Sequence, residues 1–201
     1  MGSERLPLTL LDYGVGNIHS IAKAFERAGA AVSVETDPKR ILAAKVLVLP
    51  GVGAFGKVAE QIASFRAELR GRILDGLPTF AVCIGMQILY ETSEEGAGDG
   101  LGLFKGRVLR LRHPRLPHIG WNSVEHDGKG LFEGVPPAAF FYFVHSFAPV
   151  EGGVAVTDYG GPFAAASAAK NAWAVQFHPE KSSEVGARII RNFVAFAGAR
   201  A

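Results

Sequence analysis

The amino-acid sequence predicts an α/β fold: a doubly wound, mainly parallel sheet with flanking helices and an antiparallel extension in its second half. Up to Gln87, short apolar runs alternate with helical patterns in the order β-α-β-α-β-α-β. The run at 46–49 is continuously apolar, as in parallel strands that helices cover on both faces. After about Glu94, Leu109 and Leu111 alternate with arginines, which is typical of half-buried antiparallel strands.

Composition limits the class of protein. The chain has 201 residues, of which 48% are hydrophobic and 20% charged, and this suits a single domain over residues 1–201. A net charge of +2 predicts neither a nucleic-acid nor a membrane surface, and no apolar run approaches the roughly 20 residues of a membrane span. The apolar run at 6–11 is too short for a signal peptide, and a single cysteine allows no internal disulfide. We therefore expect a soluble cytoplasmic protein.

The first strand is predicted at 6–11, followed by a glycine-rich turn at 12–17 and a helix that Gly29 ends. The turn lacks the third glycine of a dinucleotide fingerprint, so no nucleotide site is expected there. One interpretation of Asn17 is an ordinary helix N-cap. Further strands are predicted at 31–35, 46–49, 107–112, 123–125, 140–144, 154–157, 163–167 and 172–177, and a last helix at 183–197.

Cys83, the single cysteine, is the candidate nucleophile. A short apolar run at 78–82 ends at Cys83, Gly85 follows two positions later, and a helix is predicted at 86–92. This is the layout of a nucleophile elbow, which leaves the sulfur exposed at a helix N-terminus where the helix dipole favours a thiolate. The alternative is that Cys83 only fills the core, as free cysteines often do.

A glycine-rich loop, Pro50-Gly51-Val52-Gly53, follows the apolar run at 46–49. In a doubly wound sheet this loop and Cys83 lie at the same edge, beyond the carboxyl ends of the strands. Backbone N–H groups of the loop can then face an oxyanion beside the sulfur. The alternative is a plain glycine turn.

A cysteine nucleophile needs a base and a third group that orients the base. Among the six histidines, His178 alone follows a predicted core strand, precedes a proline and has a carboxylate, Glu180, two positions on. Glu180 can accept a hydrogen bond from one imidazole nitrogen while the other nitrogen faces the sulfur. The alternative is a solvated His-Pro-Glu turn, which becomes the weaker interpretation once the turn is paired with the elbow.

These motifs together resemble the class I glutamine amidotransferases, a family with a flavodoxin-like fold. The motifs are Cys83-Ile84-Gly85-Met86-Gln87, Pro50-Gly51-Val52-Gly53 and Phe177-His178-Pro179-Glu180. Within the family, the segments at 12–17, 117–122, 142–146 and 180–182 resemble the glutaminase subunits of imidazole glycerol phosphate synthases, in order and over nearly the whole chain. One position departs: the family usually has glycine two residues before the nucleophile, and this chain has Ala81, which predicts a slightly displaced elbow.

The resemblance implies a glutaminase that uses no cofactor and no metal. Cys83 is implied as the nucleophile, His178 as the general base and Glu180 as the group that orients the base. The implied oxyanion hole consists of the backbone N–H groups of Ile84, Gly51, Val52 and Gly53. The implied contacts to the substrate, glutamine, are Gln87, Glu95, His145, Ser146 and Phe147. For Gln87 and Glu95 the alternative is an exposed helix face.

The resemblance also implies a partner, a (β/α)₈-barrel cyclase subunit that forms a heterodimer with the chain and receives ammonia through a channel. The cyclase makes imidazole glycerol phosphate and aminoimidazole-carboxamide ribotide in histidine biosynthesis. Glutaminase activity is expected to be low without the loaded partner. The residues implied near the interface are Asn17, Trp121, Tyr142 and Lys181. Trp121 and Tyr142 suit an interface hot spot, but aromatic side chains are equally suited to a protein core.

Three alternatives share some of these residues. Another class I amidotransferase subunit, of the anthranilate or aminodeoxychorismate synthase type, is not expected to carry the turn at 12–17 or the Gly120-Trp121-Asn122 motif. A non-catalytic docking module of the same fold is disfavoured by the intact Cys83, His178 and Glu180. A general cysteine peptidase is disfavoured because Gln87 and the glycine loop suit a small amide better than an extended chain.

Overall fold

The computed structural model describes residues 5–14, 18–51 and 53–200. Its strands are β1 (Leu6–Leu11), β2 (Ala30–Glu35), β3 (Leu47–Leu49), β4 (Thr79–Val82), β5 (Thr92–Ser93), β6 (Arg107–Arg110), β7 (His118–His126), β8 (Ala139–His145), β9 (Phe147–Pro149), β10 (Ala155–Asp158), β11 (Pro162–Ala169) and β12 (Ala172–Val175). Its α-helices are α1 (His19–Arg27), α2 (Pro38–Leu42), α3 (Phe55–Ile62), α4 (Arg66–Leu74), α5 (Ile84–Gln87) and α6 (Ser183–Gly198). In these described ranges, no helix is both long and apolar enough to cross a membrane.

The described residues form one large sheet with the strand order β2-β1-β3-β4-β12-β11-β10-β7-β8. The strands from β2 to β12 in this order pair in parallel, and those from β12 to β8 pair antiparallel. A small second sheet joins β5, β6 and β9. The predicted α/β class, with a parallel first half and an antiparallel extension, is confirmed.

Helices cover both faces of the parallel strands. One core lies under α1 and α6, where Phe25 and Phe193 pack edge to face with ring centroids 6.2 Å apart. The other core lies under α2, α3 and α4 and includes Phe55 and Leu69. Burial on both faces explains why β3 is unbroken apolar sequence and why β4 is apolar from Phe80 to Val82.

The helix predicted at 86–92 is wrong in its bounds. α5 ends at Gln87, and Thr92–Ser93 is strand β5. The carbonyls of Ile88, Leu89 and Tyr90 instead accept hydrogen bonds from the backbone N–H groups of Leu101, Leu103 and Gly102. A loop distant in sequence therefore takes the acceptors that a longer helix would need.

Strand β7 is longer than the predicted strand at 123–125. It begins at His118, and seven of its residues, His118 to Val124, pair antiparallel with β8. Gly120 and Asn122 weaken the local strand signal. Pairing with β8 therefore extends the strand beyond the segment that local propensity predicts.

Candidate active site

Cys83 sits in a strained turn between β4 and α5. Its backbone has φ +49° and ψ −109°, a conformation that residues with a side chain rarely adopt, and its N–H donates to the carbonyl of Val175 at 2.7 Å. A side chain at Gly85 would collide with the backbone carbonyl of Leu49, so only glycine lets the helix approach β3 this closely. These are the features of the predicted nucleophile elbow.

Ala81 fits within this elbow. It lies two residues before Cys83 in β4, is fully buried, and is in register with Leu49 on one side and Ala174 on the other. The extra methyl is accommodated between regularly paired strands. The expected displacement of the elbow is not visible in the pairing of β4.

The sulfur was expected to be exposed, and this expectation is wrong for the free chain. Cys83 is only 7% exposed, and its Sγ donates a long hydrogen bond, 3.9 Å, to the carbonyl of Val144 on β8. Gly51 also lies close, since a Cβ added to it would lie 3.0 Å from Cβ of Cys83. Strand β8 of the antiparallel extension and Gly51 together cover Cys83.

His178 and Glu180 lie beside Cys83 on the turn that follows β12. Nδ1 of His178 donates to Oε1 of Glu180 at 2.8 Å, and both side chains are more than nine-tenths buried. Nε2 of His178 has no hydrogen-bond partner among the described residues, and an added Cβ at Gly51 would lie 2.9 Å from the neighbouring Cε1. The space that a side chain at Gly51 would need is thus occupied by both Cys83 and His178.

The electrostatics of this group favour a charged imidazole. Burial by itself lowers the pKa of His178, but the negative charge of Cys83, and then the hydrogen bond and charge of Glu180, raise the pKa to about 10. An imidazolium paired with a carboxylate on one nitrogen is suited to stabilise a thiolate near the other. The arrangement can perform nucleophilic attack followed by proton transfer to a leaving group.

Two of the candidate oxyanion donors, Ile84 and Gly51, lie next to Cys83. Ile84 is the first residue of α5, where backbone N–H groups have no acceptor within the helix. Gly53 has φ +101°, which favours glycine, and Gly51 lies close to Cys83 and His178 as described above. Val52 lies outside the described residues.

Gln87 is buried beside Cys83 rather than on an exposed helix face. It is 2% exposed; its Nε2 donates to the carbonyl of Phe147 at 2.8 Å and to Oε1 of Gln176 at 3.1 Å. Its Oε1 has no partner among the described residues.

Glu95 is half-buried in the turn after β5, where its Oε2 accepts from the backbone N–H of Phe55 at 2.8 Å and so caps α3. Neither residue fits the alternative of an exposed helix face.

His145 has no free ring nitrogen. Its Nδ1 lies 2.9 Å from the carbonyl of Phe147, which can only accept, so Nδ1 carries the proton. Its Nε2 lies 3.2 Å from Nδ1 of His118 and must accept from it. Burial is the main cause that lowers the pKa of His145 to about 3 and that of His118 to about 4, so both rings are neutral. Only the backbone of 145–147 and the half-buried side chains of Ser146 and Phe147 remain available to a substrate.

The family model described as glutamine amidotransferase class-I matches residues 9–196. The chain belongs to the class I glutamine amidotransferase family. It is 44% identical over 193 residues to the imidazole glycerol phosphate synthase subunit HisH of Methanothermobacter thermautotrophicus, covering 93% of this chain and 97% of the relative. It is 43% identical over 196 residues to the protein of the same description from Thermococcus kodakarensis, covering 92% and 98%.

Solved structures support the amidotransferase fold. A putative GMP synthase protein from Thermoplasma acidophilum superimposes with a TM-score of 0.74 at 19% identity, covering 98% of this chain and 96% of that one. A structure described as a glutamine amidotransferase also superimposes with a TM-score of 0.74, at 20% identity, covering 94% and 98%. At these identities the likeness concerns the fold alone.

Three of the four residues implied near an interface lie together on this amidotransferase. Trp121 on β7 is 50% exposed, and its ring lies 6.2 Å from that of Tyr142, its cross-strand partner on β8. Nζ of Lys181 lies 5.7 Å from the centre of the Tyr142 ring. The N-cap of α1 is Ile18, so the interpretation of Asn17 as that N-cap is wrong; Asn17 itself lies outside the described residues.

Sequence reasoning missed two residues of the amidotransferase site. Gln176 donates from Nε2 to Sγ of Cys83 at 3.5 Å, and His118 holds His145. Gln176 stands two residues before the candidate base, His178, and this position in the sequence is a signal that it belongs to the same site. Its contact with Cys83 depends on the pairing of β12 with β4, which no local pattern reports.

Proposed function

We propose that this amidotransferase is the glutaminase subunit of an imidazole glycerol phosphate synthase. It hydrolyses glutamine to glutamate and ammonia and passes the ammonia to a cyclase subunit in histidine biosynthesis. The observation that carries the proposal is the buried His178–Glu180 pair, 2.8 Å apart, at the strained Cys83 elbow. The full-length similarity to HisH subunits supports this branch of the family. A free thiol suits the reducing cytoplasm, where we place the reaction.

In the proposed reaction, the Cys83 thiolate attacks the carboxamide carbon of glutamine and forms a carbon–sulfur bond. His178 then donates its proton to the nitrogen, the carbon–nitrogen bond breaks, and ammonia leaves. Water attacks the remaining thioester and gives a proton to His178. The carbon–sulfur bond then breaks, which releases glutamate and restores the Cys83 thiolate. Glu180 keeps the imidazole in the tautomer and orientation that both transfers need.

The negative oxygen of the tetrahedral intermediate needs donors beside the sulfur. The N–H of Ile84 and the backbone of Gly51, Val52 and Gly53 are the groups proposed for this role. Losing one such donor typically lowers the rate by ~10²–10³. Gln87 offers its unpaired Oε1 to an N–H of the substrate, because a buried acceptor without a partner gains most from a new donor. Glu95 and the segment at 145–147 are proposed to hold the amine and carboxylate of glutamine.

A cyclase partner has a suitable surface on the β7–β8 ribbon. Ile119, Trp121 and Phe140 on this ribbon are 60%, 50% and 59% exposed. Their strands form the edge of the large sheet, and Tyr142 and Lys181 adjoin them. Adjacent exposed aromatic side chains favour a docked protein. Docking here, next to the active site, would keep ammonia from being protonated and lost in water.

Glutamate release from glutamine tests the proposal, measured for the chain alone, with the cyclase subunit plus its ribotide ligand, and for Cys83→Ala under both conditions. We expect low release by the chain alone, an increase of orders of magnitude with the loaded cyclase, and none for Cys83→Ala. A chain that binds the cyclase but never releases glutamate is a docking module. A chain whose activity ignores the cyclase serves a different acceptor.

A further inference from the structure

We propose that Gln176 is a positioning residue of the glutaminase reaction, which holds the Cys83 sulfur and sets the orientation of the Gln87 amide. This inference rests on the proposed function. Gln176 directly follows β12 and is fully buried, and its backbone N–H donates to the carbonyl of Ala165 at 2.9 Å. Because β12 pairs in parallel with β4, its end lies beside the elbow.

A backbone carbonyl determines which way both amides point. The carbonyl of Phe147 can only accept, so the group of Gln87 that faces it at 2.8 Å is Nε2. The same Nε2 lies 3.1 Å from the side-chain amide of Gln176, which must therefore present its oxygen. The Nε2 of Gln176 then faces Sγ of Cys83 at 3.5 Å.

This orientation matters for the sulfur in its two protonation states. A thiol can donate to the carbonyl of Val144, which lies 3.9 Å from Sγ. A thiolate cannot donate a hydrogen bond. It is stabilised by the hydrogen bond from Nε2 of Gln176, since hydrogen bonds to charged acceptors are stronger than those to neutral ones. Gln176 therefore favours the state of Cys83 that attacks the substrate.

The contact between Gln176 and Gln87 also affects the side chain proposed to bind the substrate. With both N–H groups of Gln87 directed at Phe147 and Gln176, its Oε1 is left buried and without a partner among the described residues. Without Gln176, the Gln87 amide would lose one of its two acceptors and part of its fixed orientation. Gln176 should therefore influence both kcat, through the sulfur, and KM, through Gln87.

Two replacements of similar length separate these effects. Gln176→Met removes both the donor and the acceptor while filling a similar volume. Gln176→Glu keeps an oxygen for Gln87, and it can donate to the sulfur only while its carboxyl is protonated. Gln61→Glu, on the exposed face of α3, is the matched control. Each is assayed for glutamate release in complex with the loaded cyclase and for alkylation of Cys83 by iodoacetamide, which reports one thiol because the chain has one cysteine.

For Gln176→Met we expect kcat to fall about 10-fold to 100-fold, KM for glutamine to rise several-fold and alkylation to slow about 10-fold. For Gln176→Glu we expect activity close to wild type at low pH, where the carboxyl is protonated. Activity should fall steeply as pH rises and the carboxyl ionises beside the sulfur. Gln61→Glu should match wild type throughout. Recovery of Gln176→Glu at low pH separates a positioning role from misfolding.

Wild-type kcat and alkylation in Gln176→Met would overturn the inference, as would a Gln176→Glu pH profile parallel to that of wild type. Iodoacetamide reacts with the thiolate whether or not glutamine is the substrate. If the wild-type chain releases no glutamate, the proposed function fails, and the alkylation rates alone still decide whether Gln176 holds the sulfur.

Discussion

The backbone N–H of His178 donates a 2.8 Å hydrogen bond to the carbonyl of Tyr142, a residue of the exposed β7–β8 ribbon. A second connection runs through Ser182, whose Oγ accepts from the N–H of Tyr142 at 2.9 Å and donates to the carbonyl of His178 at 2.6 Å. The proposed base is thus tied twice to the strand proposed to meet the cyclase. A shift of β8 on docking would move His178 with it.

Ser182→Ala should break the second of these connections. The change leaves the N–H of Tyr142 and the carbonyl of His178 without their hydroxyl partner. We therefore expect the free energy of unfolding to fall by about 1–3 kcal/mol. Glutamate release and its increase with the cyclase should both fall. Urea unfolding and the glutaminase assay measure these effects, with the exposed Ser64→Ala as control. Equal unfolding free energies for the two variants would contradict a structural role for the hydroxyl.

Glu180→Gln should slow the reaction while keeping the shape of the side chain. The carboxylate accepts from Nδ1 of His178 and raises the pKa of that imidazole, so its loss lowers the pKa. We expect kcat to fall by about 10² or more and the alkaline limb of the pH–rate profile to move to lower pH. Glu184→Gln, an exposed carboxylate on α6, is the control. An unmoved alkaline limb in Glu180→Gln would argue against the orienting role.

Gly51→Ala should displace Cys83 and His178 and so lower activity more than it lowers the stability of the fold. The new methyl would lie 2.9 Å from His178 and 3.0 Å from Cys83, closer than side chains normally approach. We expect kcat to drop by about 10², because small displacements of reacting groups are costly. Gly71→Ala on α4 meets nothing within 4 Å and should stabilise the chain by about 1 kcal/mol without changing activity. Steady-state kinetics and thermal unfolding of both variants distinguish these outcomes, and normal kcat in Gly51→Ala would refute the close approach.

Trp121→Ala should weaken cyclase binding without unfolding the chain. The side chain is half exposed beside Tyr142, as expected for an aromatic hot spot, so we expect Kd to rise about 10². Val34→Ala removes another exposed apolar side chain, but from β2 at the opposite edge of the sheet, and should leave Kd unchanged. Titration calorimetry with the cyclase measures both. Equal affinities would place the docking surface elsewhere.

Acidification should destabilise the chain through the buried histidine pair. In the folded state, burial lowers the pKa of His145 to about 3 and that of His118 to about 4, below the ordinary value of about 6.5. Below pH 6.5 the unfolded state therefore binds more protons, and stability falls as pH falls. His145 alone should contribute a loss of about 2 kcal/mol between pH 7 and pH 5.

His178 acts in the opposite direction. Its pKa is raised to about 10 in the folded state, so its contribution is complete below about pH 6.5 and is lost as pH rises towards 10. Urea unfolding of wild type, His145→Gln and the exposed His19→Gln from pH 5 to 7 tests the acid limb. We expect a shallower slope only in His145→Gln, and equal slopes would mean that His145 is protonated normally in the folded chain.

Local sequence patterns were enough to locate the main parts of the candidate site. The elbow at Cys83 and Gly85, the glycine loop and the His178–Glu180 turn each need particular residue types at short spacing, since backbone strain and close approach admit few substitutes. The order of apolar runs likewise determined the doubly wound class, because burial on both faces leaves continuous apolar strands. Only the spatial assembly of these parts was left open.

Long-range pairing decided the rest. The insertion of β12 between β4 and β11 brings Gln176 to the sulfur across 93 positions of sequence, and β8 covers Cys83 across 61. The same kind of contact ended α5 early and linked His118 to His145. The sequence alone determined the candidate reactive residues, because their local turns dictate the residue type. Tertiary structure decided their burial and supporting amides, because those depend on which distant strands become neighbours.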